Sequence, residues 1–148
     1  MTVYADSGVN IELGDDASKI LGNAARLTWE NRKGLLGDVS SRPGFAGIRY
    51  TKVGSLPPDT VMGSGLDGVG TKVEVAERMN AHRTIAYDLI AMVCDDAVVR
   101  GAEPVWVGSV LDVNTLGKDG VNHIDAVREL AQGYINAARD ANVAIING

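Results

Sequence analysis

Residues Thr84 to Gly101 read TIAYDLIAMVCDDAVVRG, and Ala102, Glu103 and Pro104 lead from them into Val105 to Val113, VWVGSVLDV. The first stretch is long and apolar and ends on a glycine, so it predicts a helix; the second is rich in β-branched residues behind a proline, so it predicts a strand. Downstream the alternation repeats. Ile124 to Asn142 places Val127, Leu130, Ala131, Tyr134 and Ala138 on one side of a second long helix, and the apolar run Val143 to Ile146 follows as a strand. Upstream, Lys72 to Asn80 predicts a short helix with Val73, Ala76 and Met79 inward. Ile48 to Val53 and Thr60 to Leu66 predict strands, and the turn-forming residues 54–59 between them point to a hairpin. Gly34 to Gly47, with four glycines and Pro43, reads as a loop. Asp15 to Lys33 reads as a helix with Ile20, Ala24 and Leu27 in register behind a cap at Asp16 or Ser18, and residues 1–14 read as an extended arm. An expected hairpin combined with helix-strand alternation implies an α+β or α/β domain, a mixed sheet covered by helices, over residues 15–148.

Composition narrows the class. With 148 residues the chain fits one domain with a real core, and 45% hydrophobic and 22% charged residues are ordinary for a globular protein. No apolar run approaches the roughly 18 residues a membrane helix needs. The start, MTVYADSGVN, has neither a basic nor an apolar segment of the secretory kind, and Cys94 is the only cysteine, so a cytoplasmic address is expected. A net charge of −5 argues against binding along a nucleic-acid backbone, though it leaves room for a small phosphorylated ligand held by backbone N–H groups and one lysine.

Two constellations carry chemistry. In Gly65 to Lys72, GLDGVGTK, a strand end passes through an aspartate and small residues into a helix. Gly68 and Gly70 allow close backbone approach to an anion, helix-opening N–H groups favour it, Asp67 can hold Mg²⁺ and Lys72 can act as a point charge on a phosphate. The spacing is not that of a Walker loop. By spacing alone the plainer reading is the stronger one: a glycine-rich turn with a capping Asp67 and a solvated Lys72. In the second constellation, Asp88 and Asp95 fall about 20° apart round the helix, with Asp96 about 100° further on. Acids so placed in an apolar stretch suit a compensating metal ion; the competing reading is that one acid caps or pairs with Arg83 or Arg100 and another is simply solvated. His82 and His123 read as surface histidines, Cys94 as a small core residue, Trp29, Trp106 and Tyr134 as core or interface, and Arg42 to Gly47 as either a second phosphate-touching loop or a plain connection.

Taken together, four segments resemble the aminoimidazole ribonucleotide (AIR) synthetases, also called phosphoribosylformylglycinamidine cyclo-ligases. They are Tyr4 to Val9 (YADSGV), Pro43 to Gly47 (PGFAG), Gly65 to Lys72 and Asp88 to Pro104 (DLIAMVCDDAVVRGAEP). The resemblance implies the N-terminal ATP-binding domain of that superfamily, with its sheet completed by the partner in a homodimer. It implies ATP and magnesium as cofactors, formylglycinamidine ribonucleotide as substrate, and closure of an imidazole ring in purine biosynthesis. Asp67, Lys72 and Asp96 become the catalytic candidates, Asp67, Asp96 and Asp95 the metal candidates. Gly44, Gly47, Gly68, Val69, Gly70, Thr71 and Lys72 become the nucleotide contacts. Asp95 stands where the family commonly has asparagine. The family's C-terminal domain lies outside this chain, which is therefore expected to be inactive alone. Formylglycinamidine ribonucleotide synthetase, selenophosphate synthetase and thiamine monophosphate kinase share the fold and remain alternatives, as does a non-catalytic nucleotide-binding, dimerising module.

Overall fold

The computed structural model describes residues 9–41, 49–51, 53–54, 56–118 and 120–148. Helix α1 spans Ile11–Thr28 and runs into a 3-10 turn at Trp29–Arg32. It begins earlier than the expected Asp15, because Asn10 supplies the cap: its side-chain oxygen accepts the Leu13 N–H at 3.1 Å. Asp16 and Ser18 therefore lie inside the helix. Ala17, Leu21, Ala24, Ala25 and Thr28 form its buried stripe, at the spacing a helix needs to present one face.

Helix α2 is Thr71–Met79, α3 is Ile85–Val98 and α4 is Ile124–Asp140. The stripe of α4, Ile124, Val127, Ala131, Tyr134 and Ala138, packs on α1 on one side and on α3 on the other. Gly133 makes the second contact possible: a Cβ there would strike the Arg83 carbonyl oxygen and approach the Ala86 Cβ within 2.9 Å. In α2 only Ala76 is buried. Val73 and Met79, expected inward, are exposed, Met79 by 71%; among the described residues the packing partner of α2 is α3, which covers little of it.

Strands β1 (Trp106–Val107) and β2 (Ala144–Ile145) pair in parallel, Trp106 with Ala144 and Val107 with Ile145. Parallel strands need a crossover, and α4 provides it, so the centre of the fold is a βαβ unit. Val143, Ala144 and Ile145 are wholly buried. The other edge of β2 is closed by side chains from the end of α1 and the turn behind it. Thr28 Oγ1 accepts the Ile145 N–H at 2.8 Å, Trp29 Nε1 donates to the Ile145 carbonyl at 2.8 Å, and Asn31 Nδ2 donates to the Val143 carbonyl at 3.0 Å. Arg32, 2% exposed at its side chain, continues the row: it donates to the carbonyls of Asn142 and Leu36 and to the Glu103 carboxylate. Polar side chains thus stand where a neighbouring strand would, satisfying backbone groups that burial would otherwise leave unpaired.

Two strand expectations are corrected. Val105 to Val113 is a strand only at Trp106–Val107, because β2 ends at Ile145 and the ladder runs out; beyond it, Asn147 takes over, accepting the Ser109 N–H at 2.7 Å through its side-chain oxygen and donating its amide to the Ser109 carbonyl. Thr60 to Leu66 forms no strand, with Val61 92% and Leu66 100% exposed. The segment has no ladder partner among the described residues. Of the expected hairpin's first arm, Ile48 and Lys52 lie outside the described residues, and Tyr50 makes one antiparallel bridge, to Ser40 rather than to the second arm.

Candidate functional site

The glycine-rich run enters α2 without a side-chain cap. Gly70 occupies the N-cap position and no side chain covers the first-turn N–H groups, which leaves donors of the kind that suit an anion. The Asp67 carboxylate accepts the N–H of the next residue, Gly68, at 2.7 Å, while Asp67 itself is exposed to solvent. Lys72, in the first turn, reaches across to α3 and places Nζ 2.5 Å from Asp88 Oδ1. That pair joins the two stretches singled out in the sequence. It also settles the partner of Asp88, which is neither Arg83 nor Arg100.

Asp95 and Asp96 lie exposed on α3 and, among the described residues, their carboxylates accept no hydrogen bond or ion pair. No group of three or more histidine, cysteine, aspartate or glutamate side chains is gathered closely enough to hold a metal among the described residues. Mg²⁺ does not demand one: it takes one or two carboxylates and completes its shell with substrate phosphates and water. Exposed carboxylates at Asp67, which accepts only the Gly68 N–H among the described residues, and at Asp95 and Asp96 are donors of the right kind, so the residues fit a metal that would arrive with a nucleotide rather than one caged by protein alone. Gly44 and Gly47, and with them the PGFAG segment, lie outside the described residues, as do Tyr4 to Gly8 of the N-terminal motif.

The remaining candidates sort themselves by burial. Cys94 is buried in the core, where desolvation first and the neighbouring Asp95 charge second push its thiol pKa up, the opposite of what a nucleophile needs. His82 is more enclosed than a plain surface histidine: its ring nitrogen lies 3.8 Å from Glu129, which also accepts its backbone N–H at 2.8 Å. His123 is exposed and precedes α4, where Asn122 rather than the imidazole accepts the Ile124 N–H. Trp29, Trp106 and Tyr134 each spend their polar atom inside the fold, on the carbonyls of Ile145 and Gly37 and on the Ser109 hydroxyl.

The fold and site define an α/β domain whose uncapped, acid-bearing helix entrance is tied to an aspartate-rich helix. The family model described as AIR synthase related protein, N-terminal domain, matches residues 50–148, and the chain belongs to that family. The match contains both Gly65 to Lys72 and Asp88 to Pro104. Among curated proteins, the phosphoribosylformylglycinamidine cyclo-ligase of Acetivibrio thermocellus is 34% identical over 148 residues, 100% of this chain and 40% of that protein. The cyclo-ligase of Clostridium novyi is 37% identical over 149 residues, again 100% of this chain and 40% of that protein. A bifunctional purine biosynthetic protein of Dictyostelium discoideum is 35% identical over 145 residues, 98% of this chain and 16% of that protein. The chain thus spans about two fifths of the length of the two cyclo-ligases. Among the described residues no helix is long and apolar enough to cross a membrane.

Proposed function

We propose that this chain is the ATP- and magnesium-binding part of a cytoplasmic, homodimeric cyclo-ligase that converts formylglycinamidine ribonucleotide to aminoimidazole ribonucleotide. The observation that carries the reading is the Lys72–Asp88 pair, which docks the glycine-rich entrance of α2 against the helix bearing Asp95 and Asp96. In the reaction the γ-phosphoryl group of ATP passes to the formyl amide oxygen, and ADP departs. The amidine nitrogen attacks the same carbon, the C–O bond breaks to release phosphate, and loss of a proton leaves the aromatic ring. Such chemistry depends on positioning and charge neutralisation more than on a protein nucleophile.

Each group has a role in that scheme. The N–H groups of Gly68, Val69, Gly70 and Thr71 approach the phosphate oxygens, and Lys72 offsets the charge that develops on the transferred group. Asp67 and Asp96 hold Mg²⁺, with Asp95 adding negative charge beside it; the metal supplies further neutralisation of the phosphates when bound. Gly44 and Gly47 contribute a second backbone contact. The homodimer is supported by the sheet's edges: the side of β2 away from β1 is closed by Thr28, Trp29 and Asn31, while Val61, Met62, Leu66 and Val110 are exposed near the unpaired strand-like segments. These apolar side chains are available to a second copy of the chain.

A second reading is a nucleotide-binding and dimerising module without turnover of its own. The test is turnover by the full-length protein containing this chain, given formylglycinamidine ribonucleotide, ATP and Mg²⁺. Aminoimidazole ribonucleotide and ADP in equal amounts support the proposal. ATP consumption with selenide, thiamine monophosphate or formylglycinamide ribonucleotide plus glutamine instead would assign the chain to another branch of the superfamily.

A further inference from the structure

We infer that Asp88 is a positioning residue for the phosphate site: it holds Lys72, and through Lys72 the uncapped entrance of α2, in the arrangement that receives the nucleotide. The inference rests on the phosphate-binding reading above and adds a residue to it. Of the nine residues in α2 only Ala76 is buried, so packing alone fixes the helix weakly. Among the described residues the Lys72–Asp88 pair is the only ion pair or side-chain hydrogen bond that ties α2 to another element; its other ion pair, Glu74 with Arg78, lies within the helix.

Electrostatics explains why an acid belongs there. An ammonium in the first turn sits at the positive end of a helix dipole, an unfavourable place for a cation, and the Asp88 carboxylate offsets it. Half-buried on α3, Asp88 is also the better-anchored partner. Its carboxylate engages one of the three ammonium donors and leaves the others for a phosphate oxygen. Lysine carries four rotatable side-chain bonds, so holding its tip before the ligand arrives removes freedom that binding would otherwise have to remove. The opposite outcome is equally definite in physical terms: if Asp88 merely competed with phosphate for Lys72, deleting its charge would tighten binding.

The experiment is calorimetric titration of Mg-ATP into the full chain and its variants at fixed ionic strength. Asp88→Asn is expected to weaken binding about two- to fivefold, the range an exposed ion pair supports. Asp88→Glu, which keeps the carboxylate, stays within about twofold of the unaltered chain. Lys72→Met, which removes the phosphate's cation, weakens binding about tenfold or more. In the Lys72→Met background Asp88→Asn has no further effect, because it acts through the lysine. Unchanged or tighter binding by Asp88→Asn overturns the inference, and so does an equal loss in both backgrounds, which would mark general damage to packing. A Lys72→Met chain that binds like the unaltered one sinks the phosphate site and this inference together. Lys72→Met weakened with Asp88→Asn unaffected sinks the inference alone.

Discussion

Replacing Arg32 by methionine tests how the fold closes the free side of β2. The guanidinium donates to the Leu36 carbonyl at 2.9 Å through Nε, to the Asn142 carbonyl at 3.0 Å through Nη1 and to Glu103 at 2.8 Å through Nη2. Methionine fills comparable volume and supplies no donor, so two enclosed carbonyls lose charged partners, each worth about 1.5–3 kcal/mol. The Glu103 side chain, 58% exposed, returns to water and adds less than about 1 kcal/mol. The expected loss is about 3–7 kcal/mol, a large part of the total stability of an ordinary domain. Lysine cannot reproduce the fork and recovers little. Urea denaturation followed by circular dichroism measures the difference, with Glu103→Gln as the companion variant expected to lose about 1 kcal/mol or less. An Arg32→Met chain within about 1 kcal/mol of the unaltered protein, or a Glu103→Gln variant that loses as much as Arg32→Met, would refute this account of how the network is held.

Two other perturbations separate local from tertiary effects. Gly133→Ala and Gly14→Ala both exchange a helical glycine for a better helix former, a change worth about 1 kcal/mol in favour of alanine where space allows. Gly14 has nothing within 4 Å of an added Cβ, so its variant is expected to gain stability, whereas Gly133→Ala meets backbone at Arg83 and is expected to lose about 1–3 kcal/mol in the same urea titrations. Opposite signs support the close contact of α3 with α4; two gains would contradict it. For Cys94, burial raises the thiol pKa in the folded chain above its unfolded value. Its contribution to stability is therefore complete below about pH 8.5 and declines as pH rises from there through the folded pKa. A Cys94→Ala chain should show a shallower loss of stability in that alkaline window, and an identical slope would exclude the thiol as its source.

The helices were legible because their cores repeat: Val127, Ala131, Tyr134 and Ala138 mark one face of α4 before any contact is known. β2 was legible for a related reason, its unbroken apolar run being what a strand buried on both faces requires. Strand extent was not. Apolar residues such as Val61 and Val110 in a strand-like run say nothing about whether a partner strand stands beside them. Helix starts failed where cap-forming residues crowd together: Asn10, Asp15, Asp16 and Ser18 are all competent by residue type, and it is Asn10 that has the extended backbone and accepts the Leu13 N–H. The Lys72–Asp88 pair and the Arg32 network join residues 16 and about 70–110 positions apart, and no local periodicity encodes such contacts. The candidate residues themselves, GLDGVGTK and the aspartates of α3, were picked out by residue type and spacing. Their joining through Asp88 was not.

The central claim is that the Asp67 to Lys72 run and the aspartates of α3 together receive a magnesium nucleotide. Titration calorimetry of ATP into the full chain, with and without Mg²⁺, tests it most directly, alongside Asp67→Ala and Asp96→Ala. Binding that requires Mg²⁺ and weakens about tenfold or more in each variant is the predicted result. Metal-independent binding, or titrations unchanged by either substitution, would contradict it.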